Sequence, residues 1–205
     1  MKFYNNNLSP YAARCRIQMY AKELAIDIIN VKSGYADINP VGKIPVLHIG
    51  QQIIPESETI MEYFEDKFPE PSLRPDTPEL CAQTRAISRL ADLYVMSPLT
   101  RLFSQLQPAS RDENVVQSAY KDILGGLTKL EFFLDGKQYA VANKLTLADC
   151  TLVPTLLYVS TMLPFLGLPV PFDKFPKLKS YVSTMRNNPS VAKVLSEVEA
   201  AFGTV

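Results

Sequence analysis

A chain of 205 residues, 47% of them hydrophobic and 20% charged, is long enough to bury a sizeable core and has the composition of a globular protein. Lys plus Arg and Asp plus Glu each total 21, so the formal charge is zero and no basic excess points to nucleic acid or to an anionic membrane. Three widely spaced cysteines (Cys15, Cys81, Cys150) and a single histidine, His48, argue against a disulfide framework, a metal centre and a His-dependent triad.

Residues 1–5 form a short predicted strand. Residues 10–24 follow as a helix, with Pro10 at an early turn where its missing N–H costs nothing. Residues 26–31 are β-branched and strand-like. Two further apolar runs, 44–49 and 52–54, flank Gly50 and Gln51, which suit a hairpin turn. His48 falls in the first of these as a strand residue with no chemical duty. Residues 57–68 place Ile60, Met61, Phe64 and Phe68 on one helical side. A strand–helix–strand unit followed by a hairpin and a helix predicts a mixed four-stranded sheet. The segment 32–39 reads as a loop.

Four prolines within residues 68–78 can neither continue a helix nor join a central strand. They set a predicted boundary between domains at 1–77 and 78–205. Every long segment beyond it reads helical: 79–107 with a kink at Pro98, then 112–134, 146–162, 175–186 and 190–202. Residues 150–172 carry no charge, which raises the question of a membrane span. Pro154, Pro164, Pro169, Pro171 and Gly167 favour a buried central helix that ends soon after Met162. The N-terminal residues lack an apolar signal-peptide core, and with free thiols this predicts the cytoplasm.

Three places carry candidate chemistry. Ser9 stands one residue before the first helix, where unpaired N–H groups and the helix dipole stabilise an anion such as a thiolate. Its hydroxyl can donate to that anion, or serve only as an N-cap. Pro45, after 39–44, can be held cis in a tight turn, leaving the Ile44 backbone free to pair with an extended peptide-like ligand. An ordinary trans proline at a strand start is the alternative. Ser57 and the N–H groups around it suit a carboxylate, and Glu56 beside it suits an ammonium group. Together they fit the amino-acid end of a ligand, or a plain cap. Thr146 and Asp149 form a capping box that starts the uncharged helix, a structural feature.

Taken in order, Ser9-Pro10-Tyr11, Asn39-Pro40-x-Gly42-Lys43-Ile44-Pro45-Val46-Leu47, Glu56-Ser57-x-x-Ile60, the proline-rich linker and Leu145-Thr146-Leu147-Ala148-Asp149 resemble the cytosolic glutathione transferase superfamily. The resemblance covers nearly the whole chain. It implies an α/β thioredoxin-like N-terminal domain, which binds glutathione, and an all-α C-terminal domain, which supplies the acceptor pocket. By this likeness Ser9 is the catalytic hydroxyl and hydrogen-bonds the glutathione sulfur. Ile44, with Pro45, pairs with the cysteinyl part, Glu56 and Ser57 hold the γ-glutamyl end, and Lys43 meets the glycine carboxylate. Tyr11, Tyr94, Leu99, Phe103 and Tyr158 are acceptor-pocket candidates, although aromatic residues at helical spacing are commonly core. Arg14 and Arg16 take a structural role.

The resemblance further implies a hydrophobic electrophile as second substrate, a homodimer, no metal and no nucleic-acid or membrane partner. Conjugation is the expected reaction, with dehalogenation, aryl-ether cleavage and isomerisation as variants. The absence of Cys at position 9 disfavours disulfide exchange, and Cys15 reads as a buried small hydrophobe. The competing reading is the same fold used as a non-catalytic binding or regulatory module.

Overall fold

The computed structural model describes residues 1–203. Its contacts divide the chain into two compact units, Met1–Arg74 joined by the last helix, and Pro75–Asn187. The first unit opens with β1 (Lys2–Asn5), α1 (Pro10–Ala21), β2 (Asp27–Asn30) and α2 (Tyr35–Ile38). It continues with β3 (Val46–Ile49), β4 (Gln52–Pro55) and α3 (Ser57–Lys67). The sheet order is β2-β1-β3-β4, with β1 parallel to β2 and β3 antiparallel to both β1 and β4. This is the expected mixed four-stranded sheet. Gly50 turns the β3–β4 hairpin at φ 61°, a left-handed conformation that glycine adopts without a Cβ clash. The segment read as a loop contains one helical turn, α2. His48 holds this turn, its Nε2 lying 3.1 Å from the Ile38 carbonyl oxygen.

The core of this unit is Phe3, Val46, Leu47, Ile60, Met61 and Phe64, each essentially without exposed surface. Burying a side chain of this size stabilises the fold by about 1.5–3 kcal/mol. Helix α1 is buried on nearly every side, so its polar residues need partners. Cys15 is fully buried and its thiol contacts the Ser57 carbonyl, 3.5 Å away; burial pushes the thiol up and disfavours the reactive thiolate. Gln18 donates to the Met61 carbonyl at 2.9 Å and to Glu65 at 2.8 Å. Lys22 pairs with Glu65 at 3.0 Å, both side chains buried, and donates to the Pro71 carbonyl at 2.6 Å.

The last helix, α9 (Pro189–Phe202), belongs to this first unit, although the sequence placed 78–205 together as one helical domain. The reason is polar. Buried Arg16 on α1 reaches the Glu197 carboxylate, Tyr20 donates to the same group at 2.8 Å, and the Lys193 ammonium lies 3.7 Å from the Tyr20 ring centroid. Burial and then Glu197 push the Tyr20 phenol up to about 12.

The second unit is helical throughout. It comprises α4 (Pro78–Ala91), a π-helical turn (Asp92–Met96), α5 (Ser97–Arg101), α6 (Glu113–Phe133), α7 (Leu147–Phe165) and α8 (Pro176–Met185). The sequence expected one helix over 79–107 with a kink at Pro98. The distortion lies earlier because Pro98 has no N–H to give the Tyr94 carbonyl four residues back, and the helix widens there. Helix α6 approaches this widened turn through Gly126. A Cβ at Gly126 would lie 2.0 Å from the Tyr94 carbonyl oxygen. Overpacking of this kind costs roughly 1–3 kcal/mol, more than the roughly 1 kcal/mol that alanine gains over glycine in a helix. Gly126→Ala is therefore expected to lower the thermal midpoint. Gly125→Ala should raise it, because that Cβ meets only the mobile end of Lys129, at 3.8 Å. Equal shifts in the two variants would refute the close approach.

Helix α7 has the length and apolarity of a membrane span, yet 83% of its most apolar window is buried inside the protein. Its Asp149 carboxylate accepts from the Thr146 and Ala140 N–H groups at 2.8 Å, from the Thr146 hydroxyl at 2.8 Å and from the Tyr181 hydroxyl at 2.9 Å. Burial still outweighs these donors and pushes the carboxyl up to about 6. The helix ends at Phe165, soon after Met162 as the prolines and Gly167 led one to expect. Gly167 ends it at φ 72°, with the Leu168 N–H bonded to the Leu163 carbonyl at 3.0 Å and Gly167 to Pro164 at 3.0 Å.

Candidate functional site

Three backbone segments of the first unit converge on one cavity of about 210 Å³. Its walls include Lys43, Ile44, Pro45, Glu56, Ser57 and Tyr11. Five of the six residues expected to bind glutathione thus share one cavity, and Val41 and Pro55 complete it. The Ile44–Pro45 peptide bond is cis. The walls come from the loop before β3, from the start of α3 and from the first turn of α1. Fold topology brings these together, since β3 lies between β1 and β4.

Ser57 is the first residue of α3 and is buried to 5% exposure, so the N–H groups of the first turn open beside it. Glu56 precedes it at φ 67° and ψ 118°. A non-glycine residue at positive φ is strained by about 1–3 kcal/mol, and such strain gathers where a ligand is gripped. The Glu56 carboxylate is exposed, and Lys43 supplies a cation on the same cavity. The site therefore offers an anion acceptor, a cation acceptor and an exposed cationic side chain, in a chain of zero net charge.

Ser9 is not a wall of this cavity. It is the N-cap of α1 and accepts from the Ala12 N–H at 3.2 Å. The cap uses an oxygen lone pair and leaves the hydroxyl proton undonated among the described residues, so the two roles weighed for Ser9 are compatible. The preceding asparagines fix the approach: the Leu8 N–H bonds to Asn6 Oδ1 at 2.8 Å and the Ser9 N–H to the Asn6 carbonyl at 2.9 Å.

Tyr11, expected in the acceptor pocket, walls the same cavity as Ile44 and Ser57. The guanidinium carbon of Arg14 lies 4.9 Å from its ring centroid, and Arg14 pairs with Glu58 at 3.6 Å. The other four acceptor candidates belong to the second unit and do not share one surface. Leu99 has no exposure and Tyr158 has 2%, so both are core side chains. Phe103 is partly exposed, its ring 6.3 Å from that of Tyr158. Tyr94 lies on the π-helical turn in a separate cavity of about 420 Å³, with the Lys129 ammonium 5.0 Å from its ring centroid.

Among the described residues no group of three or more His, Cys, Asp or Glu is placed to hold a metal.

The family model for the glutathione S-transferase N-terminal domain matches residues 3–72, and that for the C-terminal domain matches residues 90–189. Glutathione S-transferase 1 of Dianthus caryophyllus is 31% identical over 195 residues, which span 88% of this chain and 84% of that protein. The chain belongs to the glutathione S-transferase family. A probable maleylacetoacetate isomerase of Caenorhabditis elegans is 35% identical over 71% of this chain and 72% of its own length. A stringent starvation protein A homolog of Coxiella burnetii is 26% identical over 100% and 96%. Among solved structures, a glutathione S-transferase of Methylobacterium radiotolerans in complex with glutathione sulfonate superposes with a TM-score of 0.82 at 24% identity, covering 94% of this chain and 93% of that one.

Proposed function

We propose that this glutathione transferase binds glutathione in the cavity walled by Ile44, Pro45, Glu56 and Ser57, and that Ser9 donates its hydroxyl proton to the sulfur. The γ-glutamyl carboxylate meets Ser57 and the α3 N-terminus, its ammonium group meets Glu56, and Lys43 meets the glycine carboxylate. The carrying observation is that one cavity gathers these residues from separated segments, with both charge acceptors of an amino-acid end side by side. The bound glutathione sulfonate of the Methylobacterium relative supports the reading, since that protein shares the fold.

The thiol proton leaves to solvent, and the thiolate attacks an electrophilic carbon of a hydrophobic acceptor. A carbon–sulfur bond forms, and either a leaving group departs with the electron pair or the pair enters a conjugated system. The latter outcome connects conjugation to isomerisation, the activity named for the Caenorhabditis elegans relative. The reading includes the homodimer and the cytoplasmic location that the resemblance implies.

Calorimetric titration separates this reading from the non-catalytic module. The wild type should bind glutathione in the micromolar to millimolar range. Ser57→Ala should weaken this by roughly tenfold to a hundredfold, the value of a hydrogen bond to a charged group. Turnover of a generic electrophile or of a cis-dienoic acid then assigns the reaction. No glutathione binding by a folded wild type would sink the enzyme reading in favour of the module.

A further inference from the structure

The loop that supplies half of the cavity wall has no regular secondary structure and is largely exposed. Val41, Lys43, Ile44 and Pro45 all wall the cavity, and Pro40, Val41 and Lys43 are exposed. Asn39, by contrast, is buried to 2% exposure. All of its polar groups are engaged. Its N–H bonds to the Tyr35 carbonyl at 3.0 Å, and its carbonyl accepts from the Gly42 N–H at 3.0 Å. Its side-chain oxygen accepts from the Val41 N–H at 2.8 Å, and its side-chain nitrogen donates to the Lys43 carbonyl at 2.5 Å. The first side-chain bond closes an Asx turn across Pro40. The second reaches the last peptide before the ligand-facing backbone.

That second bond has a consequence for Ile44. The Lys43 carbonyl and the Ile44 N–H belong to one planar trans peptide group, so they point in opposite directions and turn together. A donor that holds the Lys43 oxygen inward therefore fixes the Ile44 N–H on the other side. We propose that Asn39 is a positioning residue for glutathione: its carboxamide holds the Lys43–Ile44 peptide so that the Ile44 backbone is presented to the cysteinyl part of the ligand. This rests on the proposed glutathione reading, and it assigns the orientation to a residue that touches no substrate. Because the peptide is held before the ligand arrives, little backbone entropy is lost on binding.

Asn39→Asp discriminates this role from simple packing. Aspartate has the same shape and keeps the acceptor for Val41, but it sets a carboxylate oxygen against the Lys43 carbonyl oxygen and turns that peptide away. Glutathione affinity by calorimetry should fall tenfold or more, and the KM for glutathione should rise by the same factor. The kcat at saturating glutathione and the KM for the acceptor should stay within twofold. A merely structural lesion would instead lower the active fraction, reducing kcat at unchanged KM. Asn39→Ala, which leaves the Lys43 carbonyl without its donor, should show the same split more weakly. On the wild type, addition of glutathione should shift the Ile44 amide resonance and slow exchange of the Asn39 carboxamide protons. A folded Asn39→Asp with wild-type affinity, or glutathione binding that leaves the Ile44 amide unmoved, overturns the inference and spares the glutathione site. No binding by the wild type overturns the reading beneath it.

Discussion

Glu65→Ala is expected to destabilise the first unit by about 3–5 kcal/mol, because it strands a buried ammonium group. The Lys22 and Glu65 side chains are 0% and 1% exposed, and their charges lie 3.0 Å apart. Glu65 also accepts from the Leu73 N–H at 3.0 Å and from Gln18 at 2.8 Å. Ser72 adds a longer contact at 3.4 Å. Alanine removes all of these acceptors at once, while Lys22 keeps only the Pro71 carbonyl. Two of the lost bonds come from the proline-rich segment, so the chain between α3 and α4 should loosen together with α1. A urea titration reads the effect as a lower midpoint, and proteolysis near residues 69–74 should accelerate. The contrast is Arg74, which pairs with Glu62 and Asp66 while about a third exposed. Arg74→Ala should cost no more than about 1 kcal/mol, the range for exposed pairs. A loss below that range in Glu65→Ala would show that the buried pair is not what anchors the linker.

Ser9→Ala is expected to lower kcat by about a hundredfold, the lower end for loss of one donor to a developing or resident anion. Such a loss corresponds to roughly two units of thiol pKa, at about 1.36 kcal/mol each. The KM for glutathione should change little, because the proposed contacts to the tripeptide lie at Ile44, Glu56 and Ser57. The structure adds a complication that the test must meet. Ser9 caps α1 through the Ala12 N–H, so alanine also weakens the helix, by about 0.5–2 kcal/mol. Ser9→Gly separates the two effects, since glycine at an N-cap costs only a few tenths of a kcal/mol. Both variants should lose turnover, and only Ser9→Ala should lose appreciable stability. Wild-type turnover in either would remove the hydroxyl from the mechanism.

Sequence reasoning singled out five walls of the first-unit cavity because each is a local signal. Pro45 opens a strand, Ser57 starts a helix and Glu56 stands beside it, and each is legible within a few residues. It did not find Tyr11 as part of that wall, because a tyrosine in a helical first turn looks the same whether it faces a ligand or a core. Asn39 was visible only as a letter in a motif. Its duty depends on two hydrogen bonds that exist only when the loop closes. For Tyr94, Leu99, Phe103 and Tyr158, spacing gave the helices but not which side chains the packing would bury.

The sequence by itself determined the strand and helix order of the first unit, the mixed sheet and the capping box at Thr146 and Asp149. These follow from periodicity, turn chemistry and capping, which act over a few residues. Only the tertiary structure decided that α9 joins the first unit, because buried Arg16 and half-buried Tyr20 needed the carboxylate of Glu197, some 180 residues away. Only it placed the helix distortion at Asp92–Met96, where the missing Pro98 N–H coincides with the close approach of Gly126. It alone showed one helical turn at α2, held by a carbonyl contact from His48. The Glu197 pairing and the approach of Gly126 to Tyr94 join residues far apart in the chain, and no local pattern carries a contact of that kind.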